Sequence, residues 1–416
     1  MKQVWGVAKK HRSYIEIWLL LLLLFSVNFF DLVPITRIIG PNGPFAFYLI
    51  SLFLMFTFNR RAWIRDSLDW LVPMWWMLGG VVLSFIPSLL YYGQSFVQSF
   101  FTNRRMLEII AFPILIALRP SEKEIRWALC AFSILYLITA LLVSFVAPEL
   151  VPPPSDSSSF IEEGDFIYVI PGVRHVSLAF IFTLFRVLKE SNAKTIAWLL
   201  FEFGMLFLIQ NRTSLIAAIV IIAFSVYRMK MGPRKLLIIT VFAITFVFMA
   251  LSSFGQWSHL YQMTVSQLSD PDYNRNKAYV YMFSSRYPIQ YLFGSGFISA
   301  NVNPIIHVLQ DSGIFHSDVG LIGLWHQYGV IPTLVILVVM IKGLSKKKSF
   351  LVNACAIYIL VGIPTLSFFA FGETLLWLSF YLFILNSDSS PTFVDIPVRK
   401  RMVGWGGYRY RSNSNG

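Results

Sequence analysis

Long apolar runs separated by short basic turns make up most of this chain. A hydrocarbon core about 30 Å thick is crossed by roughly 20 helical residues. That ruler predicts spans at about 15–32, 44–58, 69–91, 106–119, 125–147, 174–188, 195–210, 213–228, 236–254, 317–341, 350–369 and 372–386, twelve in all. The pattern breaks between Asp270 and Val330, where Arg275, Arg286, His307 and His316 stand among aromatic residues. Within that break, prolines at 271 and 288 bracket a segment that places Tyr279, Met282 and Phe283 on one helical face, a short helix lying on the membrane surface. The fold class predicted is therefore all-α: a single polytopic domain over 1–386, with outer loops at about 147–173 and 255–316, and a flexible basic tail over 387–416.

Composition agrees with the pattern. Hydrophobic residues are 56% of the chain, charged residues 13%, and the mean hydropathy is +0.65, which excludes an ordinary water-soluble enzyme and a disordered chain. The net charge of +13 is assigned to orientation in a bilayer rather than to nucleic acid, because the basic residues sit in short clusters between apolar runs. With the N-terminus placed in the cytoplasm, the inner segments hold 26 of the 34 Lys and Arg residues. The 8 left outside are Arg37, Arg104, Arg105, Arg174, Arg212, Arg275, Lys277 and Arg286. The first apolar run is longer than a signal peptide needs and has no small-residue cleavage site, so it is read as a retained span. Both cysteines, Cys130 and Cys355, fall inside apolar runs and are read as small core residues.

Three outer features carry polar groups. The loop at 147–173 is acidic and holds a PPP turn, which suits either a solvated loop or a flap with Arg174 and His175 at its mouth. The turn QNRTS puts Arg212 where it must reach the interface or a polar cavity. The long outer segment contains a Gly294-Ser-Gly296 element, whose glycines permit the backbone to turn sharply or to approach a ligand closely. No HExxH, CxxC, Walker loop or GxSxG elbow is present, and the full GxGxxG cradle is absent, so neither a metal nor a nucleotide cofactor is expected. Arginines among aromatics suit a phosphate-bearing anion, since the planar guanidinium donates two parallel hydrogen bonds. A histidine of unperturbed pKa about 6.5 is suited to accept a proton near neutral pH. Taken alone, a histidine at the start of a span, as His316 is, is more often a cap or interface residue than a base.

In order, these elements are Arg212 in QNRTS, Arg275 in YNRNKAYVY, Pro288 with Gly294 and Gly296, and His316 in FHSDVGLIGLWHQYGVIP. Their order and spacing resemble the O-antigen polymerase and O-antigen ligase superfamily over residues 195 to 345. Thr213, Ser317 and the tyrosines at 279 and 281 depart from that family's usual residues. The resemblance implies an inverting, metal-independent glycosyltransferase of the membrane-embedded C type, with no cofactor. Its donor would be a glycan on undecaprenyl diphosphate at the outer face of the bacterial inner membrane. Arg212, Arg275 and His316 would be the catalytic residues. Arg174, Arg286, Tyr279, Gly294 and Gly296 would be secondary substrate contacts, with Arg275 preferred to Arg286 for its spacing to Gly294. Membrane lipids, a chain-length regulator and a flippase of the same pathway are the implied partners, and nucleic acid is not among them. A ligase acting on lipid A core shares these motifs. A transporter, with Glu202, His326 and Glu373 as intramembrane candidates, is the alternative of another class.

Overall fold

The computed structural model describes residues 2–40, 42–58, 68–151, 160–163, 166–169, 171–190, 192–209, 211–229, 239–240, 242–243, 274–284, 287–299, 302, 319–345, 348–364 and 372–387. These residues form an all-α fold apart from one antiparallel hairpin, Phe160–Glu163 against Phe166–Val169, inside the acidic loop. The predicted span at 236–254 is described only at four residues, and most of the 255–316 loop and the tail beyond Ser387 lie outside the described residues.

Apolar run and helix coincide closely. The helices are α1 (Lys2–Ser26), α2 (Val33–Ile39), α3 (Gly43–Phe58), α4 (Leu68–Tyr92), α5 (Phe96–Thr102), α6 (Ala111–Leu118), α7 (Glu122–Phe145), α8 (Val173–Lys189), α9 (Ala193–Leu208) and α10 (Arg212–Arg228). They continue with α11 (Asn274–Phe283), α12 (Pro288–Phe293), α13 (Gly320–Tyr328), α14 (Val330–Gly343), α15 (Phe350–Gly362) and α16 (Gly372–Ser387). Local chemistry sets several starts. Ser121 and Glu124 cap α7 reciprocally, and the Asn211 side chain accepts the Ser214 N–H at 2.9 Å to open α10.

Helix α8 lies at the centre: every residue from Val173 to Leu188 except Arg174 and Arg186 is buried, among α7, α9, α10, α15 and α16. An all-round apolar helix is stable only when enclosed in this way. Among the described residues, two helices, Leu71–Tyr92 and Glu122–Phe145, are long and apolar enough to cross a membrane. On α4, Trp75 and Trp76 are 63% and 57% exposed while Ser84 and Ser88 are buried, the reverse of a helix that faces water.

Two corrections follow from packing. The predicted span at 317–341 is broken at Gly329, whose φ of +79° ends α13 and starts α14. A Cβ at Gly329 would strike the Leu292 carbonyl oxygen, so the break is where the chain leaving α12 presses against this helix. In α11, which matches the predicted surface helix, Met282 is buried with Ala278 but Phe283 is 58% exposed, so the apolar face is narrower than its sequence implies.

Helix ends meet in a consistent way. At one end of the bundle Ser26 bonds His175, Arg174 pairs with Glu373, and Ser214 meets Tyr358. At the other, Lys189 pairs with Glu122 and Arg228 with Asn353.

Candidate functional site

The C-terminal end of α15 is where the predicted site elements gather. Tyr358, one turn before that end, has its hydroxyl 3.2 Å from the hydroxyl of Ser214, two residues into α10 beyond Arg212. The Tyr279 hydroxyl of α11 donates to the Pro364 carbonyl at 3.3 Å, just past α15. The Leu321 N–H at the start of α13 donates to the Ile363 carbonyl at 3.0 Å. Three helices that carry or follow sequence-predicted residues therefore reach this helix end: α10 with Arg212, α11 with Arg275 and Tyr279, and α13, which begins four residues after His316, while α8 with Arg174 packs along α15.

Two of the predicted arginines share a position: Arg212 is the first residue of α10 and Arg174 the second residue of α8, each just after a described N-cap. A cation in the first helical turn opposes the macrodipole, at a cost of roughly 0.3–1 kcal/mol each. An anion placed there reverses the balance, because the helix dipole and the guanidinium then attract it together. Arg212 and Arg275 are described by their backbone, and His316 and Arg286 lie outside the described residues.

Arg174 already has an internal anion. Its guanidinium pairs with the Glu373 carboxylate at the start of α16, and the other carboxylate oxygen accepts the Gly172 N–H. The pair is largely enclosed, with side chains 16% and 5% exposed. Gly172 is fixed here as well: with φ at +106°, a Cβ would press on the Phe132 and Tyr136 rings. Instead of a free residue at the mouth of a flap, Arg174 is a tie between α8 and α16. His175 is turned inward, fully buried, 2.7 Å from the Ser26 hydroxyl and edge-on to Phe132.

Gly294 and Gly296 are placed elsewhere, against the far end of α13. Gly294 (φ +77°) ends α12, and a Cβ there would overlap the Gln327 carbonyl; at Gly296 (φ +72°) it would overlap the Ser88 hydroxyl. The chain between them docks by its backbone: Ser295 N–H donates to the His326 carbonyl at 2.9 Å and Gly296 N–H to the Gln327 carbonyl at 2.7 Å. From α4, Ser88 donates to the Ser295 carbonyl at 2.8 Å. After α4, Gln94 brackets the chain by donating to the Phe297 carbonyl at 3.0 Å and accepting from the Ser299 N–H at 2.8 Å. The close approach that the glycines permit is made to protein. Gln327 lies about 10 Å along α13 from its start, at 1.5 Å per residue, so these glycines stand apart from the gathering of arginines.

Tyr358 carried no signal within its apolar run, and Ser214 was overshadowed by Arg212 inside the QNRTS turn. Glu373 did carry one, since a carboxylate inside an apolar run demands a partner, and the partner is Arg174. Glu202 follows the same rule: it is fully buried, and Cys130 lies 3.5 Å away as a weak donor. Compared with known proteins, the chain matches no protein-family model and no curated sequence.

Proposed function

We propose that this chain is a polytopic inner-membrane glycosyltransferase that polymerises oligosaccharide repeat units carried on undecaprenyl diphosphate into O-antigen, capsule or exopolysaccharide. The observation that carries the reading is the meeting of the helices bearing Arg212 and Arg275 at one end of α15, with α13 starting beside them just after His316. The membrane reading is supported by the apolar exposed faces of α4 and α7 over buried polar residues. Such faces are costly in water and cost nothing against lipid. Twelve spans and cytoplasmic termini belong to the same proposal, and the same-side pairing of helix ends supports them.

In this mechanism an acceptor sugar hydroxyl attacks the anomeric carbon of the donor glycan from the face opposite the diphosphate. The bond from that carbon to the diphosphate oxygen breaks, and undecaprenyl diphosphate leaves with the electron pair. Arg212 and Arg275 bind the diphosphate and stabilise the charge that grows on it as the bond breaks, which favours the transition state over the bound substrate. His316 takes the proton lost by the acceptor hydroxyl. Tyr279 and Arg286 border the sugars. Arg174, already paired, fixes the starts of α8 and α16 around the site, and Gly294 and Gly296 lock the segment that follows α12.

A deletion strain tests the polymerase reading against that of a ligase. Single repeat units on the lipid A core signify a lost polymerase. Long chains left on the lipid carrier signify a lost ligase and would overturn the proposal.

A further inference from the structure

At the opposite end of the bundle from the arginine gathering, α7 begins and α8 ends side by side, tied by Lys189 to Glu122 at 3.0 Å. Between them lies a cavity of about 210 Å³ lined by Ser121, Glu122, Lys123, Arg126 and Arg186. Its one carboxylate is already engaged by Lys189 and the Ser121 hydroxyl by Glu124, so the lining presents three cations. Arg186 also pairs with Glu190, whose side chain is 53% exposed and in reach of water.

An apolar track leads away from this cavity. Lys123 and Trp127 are i,i+4 neighbours on α7, and Trp127 opens a line of exposed residues, Ile134, Ile138, Leu141 and Phe145, on one face of the helix. From Trp127 to Ile138 is about 16 Å of helix, the depth of one leaflet of a hydrocarbon core about 30 Å thick. A basic cluster alone satisfies the charge rule for orientation, but that rule requires neither a cavity nor an apolar track beginning at its rim.

We infer that this cleft binds the phosphate of an anionic phospholipid of the cytoplasmic leaflet, with an acyl chain lying along the α7 track. The inference rests on the membrane reading above but not on the glycosyltransferase assignment. Basic pockets between spans on the cytoplasmic side suit such headgroups, and each Lys or Arg contributes roughly fivefold to affinity for an anionic surface.

The test uses the full-length protein in detergent micelles and native mass spectrometry with added phosphatidylglycerol, phosphatidylcholine, glycerol 3-phosphate or inorganic phosphate. The expected result is retained phosphatidylglycerol, little phosphatidylcholine and no retention of either free phosphate compound. Binding is expected to weaken about 25-fold in the Arg126→Gln/Arg186→Gln double variant and about fivefold in Lys123→Gln, an exposed position that serves if the double variant fails to fold. Unchanged phosphatidylglycerol binding in the folded variants overturns the site. Equal binding of glycerol 3-phosphate or inorganic phosphate overturns the lipid as its occupant. Release of the wild-type chain from cell membranes by alkaline carbonate overturns the membrane reading beneath it, an outcome separate from the other two.

Discussion

Arg174 and Glu373, 199 residues apart, form an ion pair that fastens the start of α8 to the start of α16. Removing one member leaves the other enclosed without its counter-charge, and removing Glu373 also orphans the Gly172 N–H. Glu373→Ala is expected to cost about 3 kcal/mol. The Arg174→Ala/Glu373→Ala double variant is expected to be more stable than the sum of the two single losses by about 1 kcal/mol or more. Unfolding in mixed micelles by SDS titration measures all three, and strict additivity would show that the pair is not coupled.

Tyr358 and Ser214 connect α15 to the start of α10, close to Arg212. Tyr358→Phe removes the hydroxyl while keeping the ring that stacks on Trp377 at 4.9 Å. A loss of about 1 kcal/mol in stability is expected. Because the bond positions the helix start rather than touching substrate, polymer length on gels should shorten partially in this variant, whereas loss of Arg212 should abolish long chains.

Left-handed glycines divide into two kinds. Gly93 has φ of +68° with open space around its Cβ position, so Gly93→Ala bears backbone strain alone, about 1–2 kcal/mol. At Gly294 the same conformation coincides with the Gln327 backbone, which cannot move aside as a flexible side chain can. Gly294→Ala is expected to lose clearly more stability than Gly93→Ala. Equal melting temperatures for the two variants would contradict the docking of this segment on α13.

The helices were legible in the sequence because buried helices write long apolar runs, and seven predicted spans match single helices to within three residues at each end. Others eluded the pattern for physical reasons. The break at Gly329 is invisible in an apolar run because it is caused by Leu292, on a distant segment. Helices α2 and α5, of seven residues each, are too short to register as spans. The first-turn position of Arg212 follows from the Asn211 cap, which the QNRTS turn displays. Which carboxylate meets Arg174 is a tertiary fact, and no local pattern records a partner in another helix. Gly294 and Gly296 show the reverse case: the sequence displays the need for glycine, and the groups these positions approach are the Gln327 backbone and the Ser88 hydroxyl.

The central claim is that Arg212, Arg275 and His316 act together on a lipid diphosphate donor. Expressing Arg212→Ala, Arg275→Ala and His316→Ala in a strain deleted for this chain, at matched membrane levels, and resolving surface glycan by length tests it most directly. The account predicts that long chains disappear in all three, leaving single repeat units. Normal long chains from all three variants would contradict it.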